Sequence, residues 1–301
     1  MKIVVLGAAA GGGFPQWNSN GPGCRRARAG DPAAESRTQA SIAVSAEGER
    51  WFLLNASPDL RQQIQRTPAL HPRDGLRSTP IAGVVLTGGD VDVVAGLLTM
   101  RERQPFLLHA TQRILGVLDD NPIFEVLARD VVERRAQALD RPFALDDALT
   151  ATLFAVAGKV PLYLEEGDGM PVIQVDGTTV GLEIADAAGK RMLFIPGCAA
   201  FTSELLARIE GADLLFFDGT LWRDDEMVRA GLSHKTGRRM GHLSLGGPEG
   251  TIATLAGTPV GRKVIIHMNN SNPVLLADSP ERAEAEAAGW IVGHDGLELS
   301  L

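Results

Sequence analysis

Side chains that can bind a metal or transfer a proton stand where apolar segments of this sequence end. Asp218 and His267 each directly follow an apolar run, and Asp92 lies in the turn after a third run at residues 81–86. His242 stands in a further segment rich in small residues. Loops at the carboxyl ends of strands converge while the strands hold them rigidly. We therefore expect these four side chains to meet in one polar pocket.

Each of these residues also has an ordinary structural interpretation. Asp92 could cap the following helix and favour its dipole, and Asp218 could be a turn residue bonded to the next amides. His242 could be a capping or packing residue, and His267 a satisfied core residue. The three asparagines that follow His267 favour the pocket instead.

Charge and composition exclude several classes of function. The 301 residues include 29 basic and 37 acidic side chains, and the net charge of −8 repels a phosphate backbone, so nucleic acid is not an expected partner. No segment reaches the roughly 20 apolar residues of a membrane-spanning helix, and the short apolar start is not a secretory signal. We expect no membrane association and a cytoplasmic location. The two cysteines, Cys24 and Cys198, agree with a reducing compartment.

Apolar runs alternate with helical segments along the chain and predict an α/β fold. Each half has hairpin strands followed by strand–helix units, which indicates two sheets packed face to face with helices outside. Residues 121–136 are expected to be helical. No linker-like segment interrupts the sequence, so we predict a single domain over residues 1–301.

Seven short motifs are spread from the N-terminus to near the C-terminus. They are Gly-Gly-Gly-Phe-Pro-Gln-Trp-Asn at residues 11–18, Arg-Thr-Gln at 37–39, Asn-Ala-Ser-Pro-Asp at 55–59, Asp-Gly-Thr-Leu-Trp at 218–222, Met-Gly-His at 240–242, His-Met-Asn-Asn-Ser-Asn-Pro at 267–273 and Ser-Pro-Glu-Arg at 279–282. Together they resemble the pyrroloquinoline quinone (PQQ) biosynthesis B family of the metallo-β-lactamase superfamily. The resemblance implies a four-layer αββα sandwich and a place in making PQQ from a peptide-derived Glu–Tyr precursor.

Departures from the superfamily turn and from the family pattern affect the expected metal chemistry. The superfamily turn His-x-His-x-Asp-His is represented here by Gly88, Asp90, Asp92 and Val93, so its imidazoles are lost, and Val93, the last of these, replaces the His of the Asp-His pair that the family usually has. This loss disfavours a tight dinuclear zinc site. The family also has three cysteines after its Trp-Asn pair, of which only Cys24 remains, so we predict no structural zinc site there.

The resemblance implies a mononuclear iron site, with zinc as the alternative metal. Its candidate ligands are Asp92, Asp218, His242 and His267, and Asp92 and His267 are the predicted catalytic residues. The residues expected to bind substrate carboxylates are Arg37, Arg61, Asn269, Asn270 and Asn272. The expected reaction is iron-dependent hydroxylation of the precursor's tyrosine ring. The alternative is a carrier that binds PQQ or a precursor without catalysis, and a metal-dependent hydrolase ranks third. Other proteins of the PQQ pathway are the expected partners.

Overall fold

Two mixed β-sheets form the centre of the computed structural model, which describes residues 1–161, 164–165 and 173–301. In chain order the strands are β1 (Lys2–Gly7), β2 (Ser41–Ser45), β3 (Trp51–Leu54), β4 (Ile81–Val85), β5 (Phe106–Ala110), β6 (Val132–Ala136), β7 (Phe143–Ala144), β8 (Leu149–Ala155), β9 (Val180–Asp186), β10 (Arg191–Ile195), β11 (Leu214–Asp218), β12 (Arg262–Ile266), β13 (Trp290–Val292) and β14 (Glu298–Ser300). The strand order is β14-β1-β2-β3-β4-β5-β6 in the first sheet and β13-β12-β11-β10-β9-β8-β7 in the second.

Short helices connect these strands. They are α1 (Pro22–Arg28), α2 (Leu60–Arg66), α3 (Val91–Val94), α4 (Gln112–Asp119), α5 (Ser203–Ile209), α6 (Glu226–Arg229), α7 (Gly237–Met240), α8 (Thr251–Thr254) and α9 (Pro280–Ala287). Short 3₁₀ helices lie at Pro68–Leu70, Ala95–Met100, Pro122–Val126 and Pro273–Leu275. Among the described helices, none has the length and apolar character needed to cross a membrane.

The parallel part of each sheet sets the position of the polar loops. Strands β3 to β6 are mutually parallel, as are β10 to β13, whereas the remaining neighbours pair antiparallel. Apolar residues of both sheets belong to one buried cluster, in which Ile42 and Phe52 of the first sheet and Phe194 and Phe216 of the second are fully buried. Because parallel strands of one sheet end at the same edge, the loops after β10, β11 and β12 emerge together, and residues after β4 of the first sheet line the same cavity.

The two sheets are joined by main-chain hydrogen bonds where β1 and β12 end. The amide of Met268 donates to the carbonyl of Ala8 over 3.0 Å, and the amide of Ala10 donates to the carbonyl of Met268 over 2.8 Å. Met268 follows the second sheet's β12, while Ala8 and Ala10 follow the first sheet's β1. This connection fixes the position of the neighbouring His267 relative to both sheets.

The helix predicted over residues 121–136 is wrong. The structure has a 3₁₀ turn at Pro122–Val126 followed by the edge strand β6, which pairs in parallel with β5. Only Val132 of β6 is buried, and Glu133, Arg135 and Ala136 are exposed. Pairing with a neighbouring strand has overridden the local helical preference.

Candidate functional site

The turn that carries Asp92 is fixed by the segment after β3. The amide of Ala56 donates to the carbonyl of Val93, and the amide of Gly96 donates to the carbonyl of Ala56, each over 2.8 Å. A Cβ atom at Gly96 would lie 2.1 Å from the carbonyl oxygen of Ser57. Only glycine permits this close approach, so the Asn-Ala-Ser-Pro-Asp segment and the Asp92 turn are packed as one unit.

The four predicted ligands converge, although they are far apart in the sequence. His267 Nε2 lies 3.0 Å from Asp92 Oδ2, and His242 Nδ1 lies 2.7 Å from Asp218 Oδ2. The imidazole rings of His242 and His267 stack with their centroids 5.4 Å apart. The carboxyl edges of both sheets therefore contribute to one cluster of imidazole and carboxylate groups.

Asp218 is the enclosed member of this cluster. Its side chain has no exposed surface, and four groups donate to its oxygens. The amide and hydroxyl of Thr220 donate to Oδ1 over 3.0 and 2.6 Å, while the Cys198 amide and His242 Nδ1 approach Oδ2 at 3.0 and 2.7 Å. Burial works to raise the pKa of Asp218, but the neighbouring imidazoles and their hydrogen bonds outweigh it and lower the pKa. The residue therefore stays ionised.

The hydroxyl of Thr220 connects three of the four candidate ligands. Besides Asp218 Oδ1, Thr220 Oγ1 lies 3.0 Å from His242 Nδ1 and 2.9 Å from His267 Nδ1. A hydroxyl donates one hydrogen bond and accepts two. Since its shortest contact is to the carboxylate, the assignment that satisfies every group places a proton on Nδ1 of both imidazoles. In their neutral forms, both rings then offer Nε2 to a metal.

His267 is held in an unusual backbone conformation between two carboxylates. Its φ angle of 58° is in the left-handed region, where non-glycine residues are rare and concentrate at functional sites. Burial works to lower the pKa of His267, but the nearby Asp218 carboxylate and the hydrogen bond with Asp92 prevail and raise the pKa to about 10. Asp92 shows the reciprocal effect, because the bond to His267 outweighs burial and lowers the carboxyl pKa. Without a metal, the His267 ring therefore carries a proton between the two carboxylates.

The donor set fits a single transition-metal ion. One ligand atom from each of Asp218, His242 and His267 lies within 4.8 Å of the others, and Asp92 adds a second carboxylate beside His267. Two imidazoles with carboxylate oxygens suit non-haem iron or zinc. Because the oxygens of Asp218 already accept four hydrogen bonds, the ligands most open to an ion are Asp92, His242 and His267.

A cavity of about 440 Å³ opens onto these three side chains. This volume is within the range of small-molecule sites. Asp90 and Val93 line the same cavity, so the turn that carries imidazoles elsewhere in the superfamily presents two carboxylates, Asp90 and Asp92, and one apolar side chain here. A second cavity, of about 540 Å³, lies at the opposite ends of β4 and β5, and none of the predicted site residues lines it. The first cavity is therefore the candidate active site.

The three predicted asparagines have different positions. Asn269 lines the cavity. Asn270 Nδ2 donates to Gln16 Oε1 over 2.7 Å, and Asn272 Nδ2 donates to the carbonyl of Gly219 over 2.8 Å. Asn270 and Asn272 are thus engaged in holding loops together, and only Asn269 is placed to contact a ligand.

The predicted substrate-binding arginines lie away from the cavity. Arg37 is buried, with its guanidinium near the carboxylate of Glu35 at 2.7 Å and near the carbonyls of Glu35 and Ser36. Arg61 is exposed on α2. This placement does not support a substrate-binding role for either arginine. Cys24 is buried in α1, where its thiol contacts Asn270 Oδ1 at 3.5 Å.

Sequence reasoning missed a group of charged residues on the cavity wall. Lys159, Lys235 and Arg239 line the cavity together with Glu165. None of them directly follows an apolar strand, so the strand-end pattern that identified the other residues could not select them. The role of Thr220 was also missed, although it lies two residues after Asp218.

Comparison with known proteins identifies the family. Residues 50–268 match the model of the Beta-lactamase superfamily domain. Coenzyme PQQ synthesis protein B of Gluconacetobacter diazotrophicus is 63% identical, over 100% of this chain and 99% of the relative. The crystal structure of Zn(2+)-bound PqqB from Methylobacterium extorquens superposes with a TM-score of 0.97 at 56% identity, over 100% of both chains. A diphosphatase from the PhnP family, 19% identical, has a TM-score of 0.70 over 99% of this chain and 96% of its own, and shows the shared fold.

These matches confirm the α/β sandwich of the metallo-β-lactamase type that the sequence predicted. The two PQQ synthesis B matches extend over 99–100% of each relative, so the resemblance includes the segments that carry the four candidate ligands. The chain is a member of the coenzyme PQQ synthesis protein B family within the β-lactamase superfamily.

Proposed function

We propose that this protein acts in PQQ biosynthesis as an iron-dependent hydroxylase of the tyrosine ring in a Glu–Tyr precursor. Family membership supports the pathway. The observation that carries the reaction class is the meeting of Asp92, His242 and His267 on one cavity of about 440 Å³. This arrangement has the donor types of a 2-His-carboxylate iron site with positions left open for other ligands.

The proposed reaction requires a redox-active metal, which favours iron over zinc, although the donor set suits both. Asp92, His242 and His267 would hold the ion, and bound iron would supply the activation of oxygen. Zinc has no redox chemistry, so a zinc-loaded protein would bind substrate without oxidising it. The Zn(2+)-bound relative shows that a protein of this family holds a metal ion.

The overall reaction defines what else must be supplied. One atom of O₂ is inserted into a ring C–H bond as a hydroxyl group. The other atom leaves as water, with two electrons and two protons from an added reductant. The protein's own contribution is to place the ring beside the metal ligands, and the apolar side chain of Val93 gives the ring a surface to lie against. Asp218 and Thr220 fix the orientation of both imidazoles during this process.

The test is oxygen uptake with a defined metal content. Metal-free protein is loaded with one equivalent of Fe(II) without oxygen, then mixed with Glu–Tyr, ascorbate and O₂. We expect oxygen consumption and a product heavier by one oxygen atom, whereas zinc-loaded protein and His267→Gln should give neither. Absence of product from the iron-loaded wild type, with the iron content verified, would refute hydroxylation of this dipeptide.

A carrier function is the second candidate, because the cavity combines cationic side chains with a depleted metal-binding turn. PQQ carries several carboxylates and would match these cations. Binding of PQQ to metal-free protein, with equal affinity in Asp92→Ala and His267→Ala, would favour the carrier. Binding that requires the metal ligands would favour the enzyme.

A further inference from the structure

Three cations lie on the cavity wall next to the candidate metal ligands. Lys159 Nζ is 2.7 Å from Glu165 Oε1, and Arg239 Nη1 is 2.9 Å from Glu165 Oε2. The side chains of Lys159, Arg239 and Glu165 are only 8–15% exposed. Lys235 is half-buried and forms no ion pair within the described part of the chain. Two of the cations thus share one carboxylate, and Lys235 adds a third positive charge to the described lining of the cavity, whose other carboxylates belong to the turn at residues 90–92.

The backbone places these cations close to His242. Gly241 has a φ angle of 82°, and a Cβ atom added there would lie 3.2 Å from Lys159 Cγ. The stem of Lys159 therefore passes directly over the residue that precedes His242. Lys159 is itself anchored, because Thr179 Oγ1 donates to its carbonyl over 3.3 Å. Lys159, Arg239 and His242 line one cavity, so a ligand bound there can contact both the cations and a candidate metal ligand.

We propose that Lys159, Lys235 and Arg239 form an anion subsite that binds a carboxylate of the substrate while its aromatic ring lies at the metal ligands. Glu165 holds two of the cations at the spacing of one carboxylate, and Arg239 can also offer its remaining N–H donors in a fork. The acidic side chains Asp90 and Asp92 also line this cavity. A ligand with an anionic end and a neutral aromatic end matches both sets of groups. The substrate class that follows is an aromatic compound with one or more carboxylates, and this inference rests on the proposed function for the role of the ring.

The test compares two peptides that differ in charge and little in shape. Glu–Tyr carries two carboxylates, whereas Gln–Tyr amide carries none. Binding is measured by calorimetry on metal-free protein without oxygen, so that turnover does not enter. We expect Glu–Tyr to bind about 10- to 100-fold more tightly at low salt, as charge-assisted hydrogen bonds allow. Added salt should weaken the binding of Glu–Tyr but not that of Gln–Tyr amide.

Variants assign this preference to the cavity wall. Arg239→Gln and Lys235→Met should each reduce the preference for Glu–Tyr about tenfold. Arg238→Gln is the matched control, because Arg238 is on the same helix α7 but is 71% exposed and pairs with Glu249 at 3.8 Å. It should leave the preference unchanged. Lys235→Met removes no ion pair in the described chain, so it tests the subsite even if Arg239→Gln destabilises the fold.

The outcomes separate this inference from the hydroxylase proposal. Equal affinity for the two peptides, no binding of either, or a preference that persists in both Arg239→Gln and Lys235→Met overturns the subsite, whatever the turnover. A merely structural ion-pair cluster would lower the unfolding temperature of Arg239→Gln without changing the preference. A charge-dependent preference in a protein that inserts no oxygen leaves the subsite standing and refutes hydroxylation instead.

Discussion

Replacing Thr220 with valine tests whether its hydroxyl organises the candidate metal site. Valine keeps the branched shape and removes one oxygen atom from a residue that is 4% exposed. That oxygen is 2.6 Å from Asp218 Oδ1, 2.9 Å from His267 Nδ1 and 3.0 Å from His242 Nδ1. The substitution therefore removes these three contacts and a fourth, over 3.2 Å to the main-chain carbonyl of His267, with little change in packing volume.

The expected cost follows from what each partner retains. Asp218 loses its shortest hydrogen bond, and a hydrogen bond to a charged group contributes about 1.5–3 kcal/mol. His242 Nδ1 keeps its contact with Asp218 Oδ2 at 2.7 Å. The nearest other carboxylate oxygen to His267 Nδ1 is Asp218 Oδ1 at 3.9 Å, which is too far for a hydrogen bond, so this ring loses its orientation. We expect the free energy of unfolding to fall by about 2–4 kcal/mol.

Two measurements check this expectation. Urea denaturation of the metal-free protein gives the change in stability, and competition with a chelator gives the affinity for Zn(II) or Fe(II). Loss of a group that orients metal ligands typically weakens metal binding about 10- to 100-fold. Thr220→Ser keeps the hydroxyl and should restore most of both properties. A valine variant within about 0.5 kcal/mol of wild type, with unchanged metal affinity, would refute the assigned role.

Three further predictions concern the ligands, the fold and pH. His267→Gln should weaken Zn(II) binding at least about 100-fold in a chelator competition assay, whereas His71→Gln, at an exposed position, should not. Gly96→Ala should unfold at a lower urea concentration because its Cβ would meet backbone 2.1 Å away, whereas Gly116→Ala in α4, with no atom within 4 Å, should match or exceed wild-type stability. Burial and Arg135 lower the pKa of His109 from 6.5 to about 4. The unfolded chain therefore binds this proton more readily than the folded protein does. The free energy of unfolding should fall by up to about 3 kcal/mol as the pH is lowered from 6.5 to 4. Urea titrations at each pH measure this decrease, and His109→Phe should lack the contribution of this side chain.

Val93 stands at one of the three positions where the metal-binding turn of the superfamily has an imidazole and this chain does not. The residue is half-buried and lines the cavity beside Asp92. In the hydroxylase proposal it is part of the wall against which the aromatic ring lies, and in the carrier proposal it reflects a lost ligand. Metal analysis of freshly purified Val93→His beside wild type distinguishes these interpretations. A large gain in bound metal on restoring the imidazole would favour the lost ligand.

The sequence by itself predicted the α/β sandwich and four residues that the structure brings together, three of which follow apolar runs. Apolar runs specify buried strands, and a polar residue directly after such a run is placed at the carboxyl edge by local geometry. Asp218 and His267 could be found in this way. Asp92 lies in a turn that ends at Gly96, where close packing permits only glycine. The spacing from Asp92 to this glycine is the motif that could be recognised in the sequence.

Only the tertiary structure decided which other residues belong to the cavity. Lys159 reaches it from a loop and Arg239 from the short helix α7, and the directions of both side chains depend on long-range contacts, including one carboxylate that they share. Arg37 has the charge expected of a substrate-binding residue, but the fold directs its guanidinium to nearby main-chain carbonyls. Local pattern fixes where a strand ends, whereas the direction of a side chain from an irregular loop is set by what packs around it. For the same reason, β6 could not be distinguished from a helix without its partner β5.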